Sequence, residues 1–120
     1  MYEEFEQWLD EQLENGLPDN AVAVNLNIYE EENNEWSVQL IASDRFDALD
    51  DEWACFEVYS SGEELYYWEK ECSWEEIQED VRELIKRYLD EGKFSAMLKN
   101  LRAVGFGFVD GDLELAYIKE

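Results

Sequence analysis

Two segments of alternating apolar residues constrain the fold of this chain most. Apolar side chains occupy every second position of residues 22–28 and 36–42: Val22, Val24, Leu26, Ile28, Trp36, Val38, Leu40 and Ala42. A period of two places these side chains on one face of a strand, which is the pattern of a half-buried strand. The polar residues 30–34 between the segments form a turn, so the sequence predicts an antiparallel hairpin with an acidic tip.

Two amphipathic helices are predicted on either side of the central strands. Residues 2–15 carry apolar side chains at three- and four-residue spacing, and Gly16 stands where a helix C-cap belongs. Ser73 and Glu76 form a capping box at the start of a second helix, which ends before Gly92. Its apolar stripe comprises Trp74, Ile77, Val81, Leu84, Ile85, Tyr88 and Leu89.

The rest of the chain completes an α+β pattern. Residues 44–52 are irregular, 53–60 and 65–68 are predicted strands across a turn at Ser61-Gly62, and residues 94–98 are a helical turn. Strands at 103–109 and 112–118 are joined by Asp110-Gly111, a strong hairpin signal. The order α-β-β-β-β-α-β-β over one domain, residues 1–120, predicts a mainly antiparallel sheet with helices packed on one face.

The acidic residues are distributed very unevenly along the chain. No lysine or arginine precedes Arg45, and residues 1–69 hold twenty acidic side chains against that one base, so most of the formal net charge of −23 lies there. Such charge opposes compaction and steers basic partners toward the protein. Because 46% of the residues are hydrophobic and 15% aromatic, the chain differs from a disordered acidic tail.

Several function classes fit the sequence poorly. The chain has no histidine, so it lacks the usual general base near neutral pH and any Ser-His or Cys-His nucleophile pair. No phosphate-binding loop or dinucleotide fingerprint is present, and the two cysteines are too few for a zinc site built from this chain alone. Residues 110–114 fit a hairpin turn better than a calcium loop. We therefore predict a non-enzyme without cofactor or metal.

The expected compartment is the cytoplasm. The N-terminal residues MYEEFE lack the basic and apolar regions of a secretory signal, and no apolar run reaches the length of a membrane span. Direct binding to nucleic acid would require basic side chains to neutralise phosphates, which this chain lacks in its acidic part. We predict a basic protein partner, with no membrane and no direct nucleic-acid contact.

A candidate partner-binding segment mixes acids with aromatic side chains. Spaced carboxylates can imitate phosphates and enter the basic cleft of a partner, while buried aromatic anchors add affinity. The predicted contact residues are Phe46, Asp47, Asp50, Asp51, Glu52 and Trp53, with a second patch of Glu30, Glu31 and Glu32 at the hairpin tip. The alternative is a solvated connection whose apolar residues fold back on the core.

The strand 65–68 suggests a different contact surface. Side chains alternate along a strand, so Tyr67 must face away from Tyr66 and Trp68. One of these positions then adds an aromatic side chain to the second sheet face, and such a surface often marks a partner or dimer contact.

Two stretches of the chain resemble a known class of proteins. DDEWAC at 50–55 with EVY at 57–59, and VGFGFVDGD at 104–112, resemble segments of small acidic bacterial immunity proteins of polymorphic toxin or contact-dependent inhibition systems. The resemblance implies a cytoplasmic protein that binds and neutralises one cognate toxin domain, often a nuclease, without catalytic residues of its own. The alternatives are a cytoplasmic interaction or homodimerising module, whose acidity serves solubility, and an unrecognised carboxylate enzyme.

Overall fold

Helices cover one face of a six-stranded, mostly antiparallel sheet. The computed structural model describes residues 1–119. Its elements are α1 (Tyr2–Leu13), β1 (Ala23–Glu30), β2 (Glu35–Ser43), a 3-10 turn (Asp51–Cys55), β3 (Glu57–Ser60), β4 (Tyr66–Glu69), α2 (Trp74–Glu91), α3 (Ser95–Lys99), β5 (Ala103–Phe108) and β6 (Glu114–Ile118). The predicted α+β class and element order are confirmed.

The strand β1 lies at the centre of the sheet. It pairs antiparallel with β2, as the hairpin prediction requires, and parallel with β5, which in turn pairs antiparallel with β6. The strands β3 and β4 both pair antiparallel with β2 and lie in tandem along its free edge. The predicted turn at Ser61-Gly62 therefore does not fold these two strands against each other.

Local hydrogen bonds explain this tandem arrangement. Ser61 N donates to the Leu40 carbonyl at 2.8 Å, and Leu40 N donates to Ser61 Oγ at 3.1 Å, so the serine stays attached to β2. Gly62 has a φ of +61°, a left-handed conformation that glycine adopts without strain. The chain bulges out at this point and then returns to the same edge.

The core lies between the helices and the sheet. Phe5, Leu26 and Tyr88 are among its fully buried side chains. The predicted cap of α2 is present, since Glu76 N donates to Ser73 Oγ at 3.4 Å. Trp74, at the first turn of α2, is the exception in the predicted apolar stripe: it is 56% exposed instead of buried in the core.

The opposite face of the sheet is partly covered by the 3-10 turn. A Cβ atom at Gly105 of β5 would lie 2.6 Å from Asn25 Oδ1 and 3.3 Å from Cζ2 of Trp53, so the Asn25 side chain and the indole together occupy the space beside this glycine. The strand predicted to begin at Trp53 therefore begins only at Glu57, because Trp53 turns inward to pack with Ala23 and Ala103. This face is otherwise polar around Asn27 and Gln39.

No helix within residues 1–119 combines the length and apolar character needed to cross a membrane.

Candidate functional site

The predicted acidic segment forms a loop that is fastened to the fold by its aromatic residues. We call residues 44–52 the acidic loop. Trp53, directly after it, is only 3% exposed and packs edge-to-face on Phe46, with ring centroids 5.4 Å apart. The side chain that the sequence offered as a partner anchor is thus occupied inside the protein. The alternative interpretation, in which apolar residues fold back on the core, describes Trp53 correctly.

Three carboxylates of the acidic loop hold its backbone in place. Asp47 Oδ1 accepts a hydrogen bond from Leu49 N at 2.9 Å, and Asp50 Oδ1 accepts one from Glu52 N at 3.0 Å. Asp51 Oδ2 accepts one from Leu113 N at 3.0 Å. These bonds give the carboxylates defined positions on the surface.

In the described part of the chain, four carboxylates of the acidic loop stay free of internal ion pairs, whereas Asp44 is paired with Arg45. Within residues 1–119, no lysine or arginine forms an ion pair with Asp47, Asp50, Asp51 or Glu52. Leu49 is 97% exposed at the tip of the loop. Leu49, and not Trp53, is therefore the large apolar side chain that the acidic loop exposes to solvent.

The connection between β5 and β6 joins the two predicted patches. Residues 109–113 lie between Ile28, whose carbonyl accepts from Val109 N at 3.2 Å, and Asp51, which accepts from Leu113 N. Asp110 and Asp112 on this connection are exposed. We call the resulting surface the acidic arc; it comprises Glu30, Asp47, Asp50, Asp51, Glu52, Asp110 and Asp112.

The sequence pointed to a turn at Asp110-Gly111 but not to its place in the site. The turn is present, since Gly111 N donates to the Phe108 carbonyl at 3.0 Å. The pairing between β5 and β6 ends at Phe106 and Glu114, so the connection is longer than a two-residue hairpin. The contact between this connection and the acidic loop is the hydrogen bond from Leu113 N to Asp51. These two residues are far apart in sequence, so no local sequence pattern could have predicted it.

The three glutamates of the hairpin tip lie on different surfaces and do not form one patch. Glu30 lies in the acidic arc, beside the β5–β6 connection. Glu31 accepts a hydrogen bond from Ser37 Oγ at 2.8 Å and belongs to a depression on the polar sheet face. Glu32 is exposed at the tip itself.

A groove of about 700 Å³ opens between the start of α2 and the β5–β6 connection. Its apolar part includes Trp74 and Phe108, whose rings meet edge-to-face at 6.0 Å and 88°. Glu30, Asp110 and Asp112 line its acidic part. The groove thus places exposed aromatic surface next to carboxylates of the acidic arc.

The inner wall of the groove holds a carboxylate that is already paired with an arginine. Glu114 accepts a hydrogen bond from Gln78 Nε2 at 2.6 Å and forms an ion pair with Arg82, which also pairs with Glu79. The Arg82 guanidinium holds the pKa of the Glu114 carboxyl below its usual value. Glu114 therefore has a basic partner within the protein, whereas the outer acids of the groove form no ion pair within residues 1–119.

Replacing Glu114 with glutamine should destabilise the protein by up to about 1 kcal/mol at pH 6, since partly exposed ion pairs contribute little more. The depressed pKa means that this contribution is complete above the ordinary value of 4.5 and is lost as pH falls through the folded pKa. The difference from the wild type should therefore shrink by pH 3. Urea unfolding at both pH values measures it.

Glu83→Gln is the matched control for this prediction. Glu83 is exposed on α2, and no ion pair to it occurs in the part of the chain that the structure describes. Its replacement should leave stability nearly unchanged at both pH values. A deficit of Glu114→Gln that persists at pH 3 would contradict the assigned role of the Arg82 pair.

Nothing in the described residues groups three or more acids or cysteines in a way that could hold a metal ion. Comparisons of the chain with protein-family models, curated proteins and solved structures found no match. The function is therefore inferred from the surface of the protein itself.

Proposed function

We propose that this protein is a non-enzymatic, immunity-type inhibitor that binds and neutralises a cognate basic toxin domain, most simply a nuclease, in the cytoplasm. The acidic arc is the contact surface. The observation that carries the proposal is that the β5–β6 connection has acids from two distant stretches beside it: Asp51 accepts from Leu113 N, and Glu30 lines one groove with Asp110 and Asp112. Their excess of carboxylates is complementary to a basic cleft, and opposed potentials accelerate encounter.

The local structure of the acidic loop suits this role. Hydrogen bonds from the backbone hold Asp47, Asp50 and Asp51, so these carboxylates lose less freedom on binding than unrestrained side chains would. Leu49 adds apolar surface at the centre of the charged loop. Occupation of a basic active-site cleft by this loop would block access of a phosphate-containing substrate.

The resemblance to immunity proteins concerns the same surface. One of the two resembling segments, residues 50–59, contains the 3-10 turn, and the other, residues 104–112, contains most of the β5–β6 connection. The two segments contact each other where Trp53 covers Gly105. The likeness therefore lies in the part of the fold that builds the acidic arc.

Removing charge from the acidic loop should slow association with the toxin domain at least tenfold at low ionic strength. The triple variant Asp47→Asn, Asp50→Asn, Glu52→Gln keeps a side-chain oxygen at each position, so the turn hydrogen bonds and the melting temperature should persist. Salt screens such steering, so the difference from the wild type should diminish as salt is added. Stopped-flow association rates measure both effects.

The matched control removes the same charge from the helical face. Glu11, Glu14 and Glu83 are exposed on α1 or beside it and on α2, across the sheet from the 3-10 turn. Their replacement by glutamine should change the association rate less than twofold. Equal effects of the two triple variants would show that net charge alone governs binding, and unchanged rates in both would place the interface elsewhere.

The genomic neighbourhood provides the first test and supplies the partner. A toxin-domain gene immediately upstream would support the proposal, and co-expression with this chain should abolish its toxicity. An isolated gene among metabolic operons would count against it.

A homodimerising module is the second candidate function. Its support is Tyr67, which is 48% exposed on the polar sheet face and lies beside Leu65 and Tyr29 in a shallow depression. The predicted alternation is confirmed, because Tyr66 and Trp68 face the core. Sedimentation at micromolar concentrations distinguishes the candidates: a dimer that Tyr67→Ser dissociates would favour the module.

A further inference from the structure

We propose that the groove beside α2 binds an arginine side chain presented by an extended basic peptide segment. The acidic wall of the groove is the part of the acidic arc that lies outside the acidic loop, and the inference holds whether or not the peptide belongs to a toxin. The groove has one aromatic wall and one acidic wall, which are the two surfaces that a guanidinium group recognises.

The aromatic wall is built to hold one exposed ring in position. Trp74 meets Phe108 edge-to-face at 6.0 Å, and Phe108 meets the buried Trp36 edge-to-face at 6.0 Å and 74°. Trp36 is fixed in turn, because its Nε1 donates to the Lys70 carbonyl at 2.9 Å. Trp74 thus presents exposed indole surface on a supported base, and indole is the preferred aromatic partner of a cation.

The acidic wall has charge that the protein does not compensate. Within residues 1–119, Glu30, Asp110 and Asp112 form no ion pair with a lysine or arginine, whereas Glu114 behind them is paired with Arg82. An entering cation would therefore meet the three outer carboxylates. An apolar ligand would desolvate these charges without pairing them, and an acidic ligand would be repelled.

The positive end of α2 also faces this region, and its effect has to be weighed. Helix N-termini attract anions. Here the first turn already carries Glu75 and Glu76, and Ser73 Oγ accepts the hydrogen bond from Glu76 N. The helix end is thus capped and flanked by its own carboxylates, so the net preference of the groove is for a cation.

The protein uses the same combination for its own arginines. The Arg45 guanidinium lies 3.8 Å from the centre of the Phe56 ring while its Nε bonds Asp44 at 3.0 Å. A planar guanidinium can stack on a ring and still bond a carboxylate in its own plane, whereas an ammonium group is a compact, strongly hydrated point charge. The groove should therefore prefer arginine to lysine.

Peptide titration of the isotope-labelled full chain tests the proposal. The probes are acetyl-Gly-Arg-Gly-amide and its lysine and glutamate analogues, and the signal is the Trp74 indole N–H resonance, identified by its loss in Trp74→Phe. The arginine peptide should shift this resonance saturably with a dissociation constant of roughly 1 mM, the lysine peptide should bind at least threefold more weakly, and the glutamate peptide should give no shift.

Charge variants connect the signal to the groove. Glu30→Gln with Asp112→Asn should weaken the arginine peptide at least fivefold, whereas Glu83→Gln with Asp90→Asn removes equal charge from exposed positions of α2 and should not. Absence of a saturable shift, equal binding of arginine and lysine peptides, or equal effects of the two double variants would overturn the proposal.

The acidic-loop triple variant separates this inference from the proposed function. It should associate with the toxin domain at least tenfold more slowly at low ionic strength and still bind the arginine peptide as the wild type does. Failure of peptide binding in a chain that still neutralises its toxin overturns the groove assignment alone. Peptide binding in a chain that neutralises no toxin overturns the proposed function alone.

Discussion

Replacing Trp53 with alanine is expected to lower the free energy of unfolding by about 3–5 kcal/mol, the usual loss for a buried tryptophan. Its ring is 3% exposed, packs with Ala23, Ala103 and Phe46, and covers Gly105. Without the ring, these surfaces lose their cover and the 3-10 turn loses its attachment to β5. Chemical denaturation of the purified variant measures the loss.

The control for this prediction is the variant Leu49→Ala. Leu49 is 97% exposed, and exposed substitutions usually change stability by less than about 0.5 kcal/mol. It should therefore unfold like the wild type while binding the toxin domain more weakly. The opposite pattern, a stable Trp53→Ala protein that fails to bind, would show that Trp53 is a direct partner contact, as the sequence alone suggested.

Replacing Gly107 with alanine is expected to cost about 1–3 kcal/mol, the range for an overpacked site. A Cβ atom at this position would lie 2.7 Å from the Asp112 carbonyl oxygen and 3.1 Å from the Leu113 Cα. Both neighbours are backbone atoms, so the β5–β6 connection must move, and Asp110 moves with it. Thermal unfolding should show the loss, and the arginine peptide should bind less tightly.

Gly111→Ala provides the control on the same connection. The nearest atoms to a Cβ there belong to Phe108, at 3.8 Å, which is an ordinary van der Waals contact. Stability and peptide binding should both remain close to the wild type. If the two alanine variants behave alike, close approach at Gly107 is not what positions this connection.

The position of Trp53 illustrates how far local patterns reach. The segment from Trp53 to Ser60 has the composition of a strand, yet only Glu57–Ser60 pairs with β2. Tertiary packing overrode the strand propensity of this segment, because the Trp53 indole packs against Ala23, Ala103 and Gly105. These residues are distant in sequence, so the local pattern does not reveal the packing. The same packing buries the most prominent candidate anchor, whereas Leu49 is 97% exposed.

The candidate site was predictable only in part, because its residues come from segments that are distant in sequence. The sequence singled out Asp47, Asp50 and Glu30 by composition, since an excess of acids over bases is visible in the chain itself. It treated the acidic segment and the hairpin tip as separate patches and assigned Asp110 only to a turn. Their assembly depends on hydrogen bonds from the β5–β6 connection to Ile28 and to Asp51.

The sequence by itself determined the type and order of the elements and the uneven charge. Alternation predicts the β1–β2 hairpin, and the capping box predicts α2, because both depend on residues only a few positions apart. The tertiary structure alone decided that β1 pairs parallel with β5, that β3 and β4 share one edge of β2, and that the acids form one arc. These features depend on which buried surfaces and unpaired backbone groups meet across the chain, and no local pattern encodes that choice.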